Sequence, residues 1–87
     1  MYSIIYTKKA ASDIQKIKGA KLDKKAKALI DLLRENPHET PPSFKKLRGD
    51  FQGAYSRRIN IKHRLVYEVL ENAKVVKIIS MWSHYEF

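Results

Sequence analysis

The chain has 87 residues, 44% of them hydrophobic and 31% charged, which fits one folded domain and not a disordered tail. At this length roughly 60–65% of the extended surface can be buried, so a single modest core is the limit. Net charge is +9, from 18 Lys and Arg against 9 Asp and Glu, and this points to an anionic partner, namely nucleic acid, an acidic protein or a lipid surface.

Cysteine is absent, which excludes a disulfide framework and a thiolate metal site and is compatible with the cytoplasm. No apolar run approaches the ~20 residues of a membrane span. The opening "MYSIIYTKK" has no basic leader ahead of its apolar residues, so no signal peptide is expected.

The β-branched and aromatic stretch Tyr2–Tyr6 predicts a strand. Thr7 can cap the helix that follows, in which Ala10, Ile14 and Ile17 recur at helical spacing, and Gly19 can end it. From Lys21 to Asn36, Leu22, Ala26, Leu29 and Leu33 form an i, i+4, i+7, i+11 stripe, the strongest helix signal in the chain and a core face. Pro37 stops it, because proline disfavours α geometry in the residue before it. Residues 38–43 read as a loop, residues 44–49 as a short strand, and "DFQG" as a turn.

Three further strands are predicted: Ala54–Asn60, Arg64–Leu70 and Val75–Ser83. Short links join them, so they should form an antiparallel meander. The expected architecture is therefore one α+β domain over residues 1–87, with four to five antiparallel strands, both helices on one face and the order β-α-α-β-β-β. Alternation puts Ser56, Arg58 and Asn60 on one side of their strand and Tyr55, Arg57 and Ile59 on the other. It likewise separates Arg64, Val66 and Glu68 from Leu65, Tyr67 and Val69, and Ser80, Trp82 and His84 from Met81, Ser83 and Tyr85. With the apolar side under the helices, Arg58 and Arg64 face outward.

Residues 44–64 hold seven bases and one acid, Asp50. Like charges repel across a β-ladder, so a hairpin made only to fill a core would not gather them. Metal-free RNA cleavage needs a cation for the charge that builds at phosphorus, a group that removes the 2′-OH proton and an acid for the leaving 5′-oxygen. Arginine suits the first task and histidine proton transfer near neutral pH, while an aromatic ring can stack on an unpaired base. Arg58, Arg64, His84 and Tyr85 supply these groups. No His, Asp or Glu grouping has metal-ligand spacing, and no cofactor is expected.

"YSRRINIKHRLVYEV", with a chain ending near "HY", resembles the YoeB/Txe branch of the RelE/ParE superfamily of bacterial toxins. The resemblance covers nearly the whole chain. It implies a RelE-like fold and a toxin of a toxin–antitoxin pair that enters the ribosomal A site and cleaves the bound mRNA. It also implies an acidic antitoxin, a toxin–antitoxin complex that binds operator DNA, and room for a homodimer. By position, Arg64 would stabilise the transition state, His84 would be the general acid and Tyr85 would position the substrate. Arg58 would bind phosphate, and Lys46 and Arg48 would extend that surface. Arg57 joins the substrate-binding cations, with a surface or interface arginine as its plainer reading. The family has a glutamate, proposed as general base, where this chain has Lys45, which therefore stands either as a proton acceptor or as a phosphate ligand.

Plainer readings accompany these. Arg58 and Arg64 could form ion pairs with Glu68 or Asp50. His38 and His63 read as solvated, Trp82 as packing, and the lysines of residues 8–27 as solvated helix faces. Two other functions fit the charge: a ParE-like toxin that binds a topoisomerase, and a simple nucleic-acid-binding module.

Overall fold

In the computed structural model, which describes residues 1–83, strand β1 (Ser3–Tyr6) leads into helices α1 (Lys8–Gly19) and α2 (Asp23–Glu35). Strands β2 (Lys45–Lys46), β3 (Ala54–Arg58), β4 (Arg64–Leu70) and β5 (Val75–Ser83) follow, with a 3-10 turn at Gly49–Phe51 between β2 and β3. Thr7 caps α1, its Oγ1 accepting the Ala10 N–H at 3.0 Å. The same hydroxyl donates to the Ile79 carbonyl at 2.7 Å, so the cap also pins the helix start to β5. Between the helices Lys21 takes a left-handed φ of 59°, which turns the chain back on itself. Asn36 ends α2 in extended geometry, as Pro37 demands.

The strands form one sheet in the order β1-β5-β4-β3-β2. The β2–β3, β3–β4 and β4–β5 pairs are antiparallel, as the meander predicts. The first strand departs from that expectation: β1 lies beside β5 and runs parallel to it, with Ser3 opposite Val75 and Tyr6 opposite Ile78. Parallel neighbours need a long crossover, and the segment between β1 and β5, which includes the helical hairpin, supplies one. The sheet is thus mixed, and β5 is an inner strand.

Both helices lie on one face. Ala10, Ile17, Leu22, Ala26, Ile30 and Leu33 pack against Ile59, Leu65, Tyr67, Val76, Ile78 and Met81 of the sheet side. Leu33 is fully buried, and truncating such a leucine to alanine costs about 2–5 kcal/mol. The opposite face carries a smaller apolar cluster, Leu47, Ala54 and Val66 with Ile79 against it. Alternation on β4 is therefore obeyed, with Leu65 and Tyr67 under the helices and Val66 on the other side.

On β5 the alternation fails. Arg64 pairs with Ser83 and Val66 with Ser80, so β5 places Met81 and Trp82 where β4 has only Leu65. A second irregularity falls between Val66 and Tyr67. Such bulges bend a strand and re-aim its side chains. The Met81 N–H donates to Asp13 Oδ2 of α1 at 3.0 Å, so a buried helix carboxylate satisfies a backbone donor in the bulged segment.

Candidate active site

The outward side of β2, β3 and β4 forms the candidate site. Arg58 and Arg64 are directly opposed across β3 and β4. Two residues back along β3, Ser56 stands opposite Lys45 of β2. Lys45, Ser56, Arg58 and Arg64, with Pro42 and Ser43 from the preceding loop, line a cleft of about 390 Å³. Arg64 is only 9% exposed, whereas Arg58 is exposed.

The ion pairs among the described residues involve neither Arg58 nor Arg64. The pairing with Glu68 or Asp50 that the sequence permits is therefore not made. Two arginines on one cleft, with no ion pair to either among the described residues, create a positive field suited to a phosphodiester, whose oxygens match their planar donors.

Ser56 joins the cleft although no motif marks it as a site residue; it shares a strand face with Arg58. Its hydroxyl is buried and has no hydrogen-bond partner among the described residues. The available signal was its place two residues before Arg58, on the same side.

Lys46 and Arg48 do not join the arginine cleft. They line an adjacent depression with Leu47, Gln52, Gly53, Ala54 and Tyr55. Leu47 between them is buried in the smaller apolar cluster, which anchors this edge of the sheet.

Arg57 requires a correction. It is fully buried, on the helix side of β3, and presents nothing to the cleft. Its Nε donates to the Tyr67 hydroxyl at 2.9 Å, Nη1 to the Pro42 carbonyl at 2.5 Å and Nη2 to the Pro37 carbonyl at 2.9 Å. Its Cζ lies 5.0 Å from the centre of the Phe44 ring and 6.0 Å from that of Tyr67. Three hydrogen bonds and two aromatic rings surround the buried guanidinium, so neither direct substrate contact nor a surface position is open to it. Burial pushes the Tyr67 phenol pKa up, and the hydrogen bond from Arg57, with its charge, offsets only part of that rise.

The histidines differ too. His63 is buried, its ring 4.1 Å from the Trp82 ring centroid and its Nδ1 3.1 Å from Asn60 Oδ1. His38 is exposed but paired with Glu71, and that contact is the main cause that lowers the Glu71 pKa. His84 and Tyr85, the expected acid and positioning residue, lie outside the described residues. The backbone register places Ser83, the residue before His84, opposite Arg64.

Comparison with known proteins gives a consistent family. A family profile described as a YoeB-like toxin of bacterial type II toxin–antitoxin systems matches residues 6–85. A toxin called YoeB from a Synechocystis strain is 35% identical over 66 residues, covering 76% of this chain and 74% of that protein. A YoeB/ParE toxin structure from Agrobacterium tumefaciens superposes with a TM-score of 0.84 at 27% identity, covering 95% of this chain and 99% of its own. The heterotetrameric YoeB–YefM toxin–antitoxin complex from Staphylococcus aureus contains a chain that matches with a TM-score of 0.79 at 34% identity, covering 98% and 99%.

Proposed function

Because this chain belongs to the YoeB-like toxins of bacterial type II toxin–antitoxin systems, we propose that it is a ribosome-dependent endoribonuclease that cuts mRNA in the A site. The observation that carries the reading is the opposed pair Arg58 and Arg64 on one cleft, with no ion pair to either arginine among the described residues.

In this reading the 2′-oxygen attacks the adjacent phosphorus and the P–O5′ bond breaks, leaving a 2′,3′-cyclic phosphate and a 5′-hydroxyl. The 2′-OH proton passes to a base, and an acid protonates the departing oxygen. Arg64, nearly buried beside the cleft, stabilises the charge that grows on the phosphorane. Arg58, more exposed, grips the incoming phosphate. His84 supplies the proton to the leaving group and Tyr85 orients it. Lys45, across from Ser56, completes the cationic lining.

The S. aureus relative is bound to YefM in its complex. By the same logic this chain is held inactive by an acidic antitoxin that covers the cationic cleft, and the complex binds operator DNA. Among the described residues no helix is long and apolar enough to cross a membrane.

Toeprinting on ribosomes programmed with a defined mRNA tests the proposal. A new transcript end within the A-site codon is expected with the wild-type chain and not with Arg64→Ala. Intact mRNA beside a stalled topoisomerase would select the ParE-like reading. Salt-dependent RNA binding with no product would select the binding module.

A further inference from the structure

We propose that Arg57 is a positioning residue, a buried guanidinium that holds the Pro42–Lys45 wall of the cleft in place against Arg58 and Arg64. Neighbours on β3, Arg57 and Arg58 point to opposite sides of the sheet. Arg58 faces the cleft, while Arg57 reaches behind it to the loop that forms the facing wall.

The segment from Pro37 to Phe44 has neither helix nor strand. The His38 and Glu39 N–H groups bond back to Asn36, which fixes only the start of the loop. Arg57 bonds both the Pro37 and the Pro42 carbonyls, so one side chain gathers the two ends of the bend. Phe44, over which the guanidinium sits, packs edge-on against Tyr55 at 5.4 Å. The next residue, Lys45, begins β2.

A charge is costly to bury among neutral acceptors, and an apolar side chain would fill the space at lower cost. What an apolar residue lacks is three donors in a fixed plane. Lysine could not satisfy two carbonyls and a phenol with that geometry. The gain from Arg57 is therefore placement of a loop, and that loop carries Pro42, Ser43 and Lys45 into the cleft. This assignment rests on the endoribonuclease reading for its effect on rate, but not for its effect on the loop.

Hydrogen exchange and single-turnover cleavage test it together. In Arg57→Lys, amides of residues 38–45 should exchange at least about 10-fold faster while those of α2 and β4 keep their protection. Tyr67→Phe, which removes one acceptor only, should show the same pattern more weakly. Uniform acceleration through the chain, or an unchanged loop in both variants, would overturn the clamp.

On programmed ribosomes at saturation, Arg57→Lys should lower the cleavage rate by about 10²-fold with little change in ribosome affinity, as a misplaced wall does. In a Lys45→Ala background the same substitution should cost less than about 3-fold, because the group it positions is already gone. Losses that multiply in full would remove Lys45 from the pathway and overturn the proposal. A wild-type chain that cuts no mRNA would end the endoribonuclease reading, and the exchange pattern would still decide the clamp.

Discussion

Arg58 and Arg64 sit directly across from each other on adjacent strands, and neither meets a carboxylate among the described residues. Like charges at opposed positions of a ladder weaken the sheet. Nothing in the packing of the small apolar cluster beside them, Leu47, Ala54 and Val66, calls for two cations there. The pair is a local conflict between stability and charge, and such conflicts gather at functional sites.

Removing one member should therefore separate the two properties. Arg58→Gln should leave the fold as stable as the wild type or gain about 0.2–1 kcal/mol in urea unfolding. Its cleavage rate should fall, since a charge-assisted contact to phosphate is lost. Arg64→Ala should keep the fold and lose about 3–4 kcal/mol of transition-state stabilisation, enough to abolish toxicity. Full growth arrest by a folded Arg64→Ala chain would exclude Arg64 from the chemistry.

Salt provides an independent count of the cleft cations. For a short single-stranded RNA with a 2′-deoxy linkage, each neutralised phosphate contributes about −0.7 to the slope of log K against log salt. Arg58→Gln should make that slope shallower by about 0.7 in fluorescence anisotropy titrations. A substitution at Lys24, on the exposed side of α2, should leave it unchanged. Equal slopes for wild type and Arg58→Gln would show that Arg58 neutralises no phosphate.

Strand alternation carried most of the legible fold. It separated Leu65 and Tyr67 from Arg64 and Val66, and the structure keeps that division. It also grouped Arg57 with Tyr55 and Ile59, under the helices. Charge favours a surface position for Arg57, but the side chain follows the strand period and is buried. The carbonyls that make its burial tolerable belong to Pro37 and Pro42, in a loop with no local signature for that role. The bulges in β5 were not legible because their support is remote: Asp13 is 68 residues from Met81 in sequence. The parallel β1–β5 pair is equally non-local. Of the site, the motif arginines and Lys45 were readable, and the cleft draws them together. The buried hydroxyl of Ser56, without a partner among the described residues, follows from packing that no short motif encodes.

Asp13 gives the fold a specific acid sensitivity. Its side chain is fully buried. Burial alone would raise its pKa, but the Lys9 ammonium at 2.7 Å and the backbone N–H groups of Met81 and Trp82 together hold it below the ordinary aspartate value. A carboxyl with a depressed folded pKa stabilises the fold fully above its unfolded pKa of ~4, and that contribution is lost as pH falls through the folded value. Urea unfolding of the wild type should therefore weaken as pH drops below ~4, and Asp13→Asn should remove part of that slope while lowering stability at pH 7. Identical slopes for the two proteins would mean that the Lys9 pair and the β5 amides contribute nothing to acid unfolding.

Lys45 decides how the reaction starts. The family resemblance places a glutamate at this position, as the group that takes the 2′-OH proton. Here a lysine stands across from Ser56, in one cleft with Arg58 and Arg64. Three cations around one space suit phosphate binding, and a lysine serves as base only in its neutral form. If Lys45 grips phosphate, Lys45→Arg should retain activity, since the charge and reach persist. Lys45→Glu should then raise the rate, because a carboxylate held near two guanidinium groups remains ionised and can accept the proton. General base catalysis is typically worth ~10²–10⁴-fold, so even a partly restored base should be visible. If Lys45 is itself the base, the rate should climb with pH until the amine has lost its proton, and Lys45→Met should cost as much as His84→Gln. Single-turnover cleavage on programmed ribosomes across pH separates the two. The phosphate role predicts an active Lys45→Arg and a faster Lys45→Glu. Loss of activity in both variants would make Lys45 the proton acceptor.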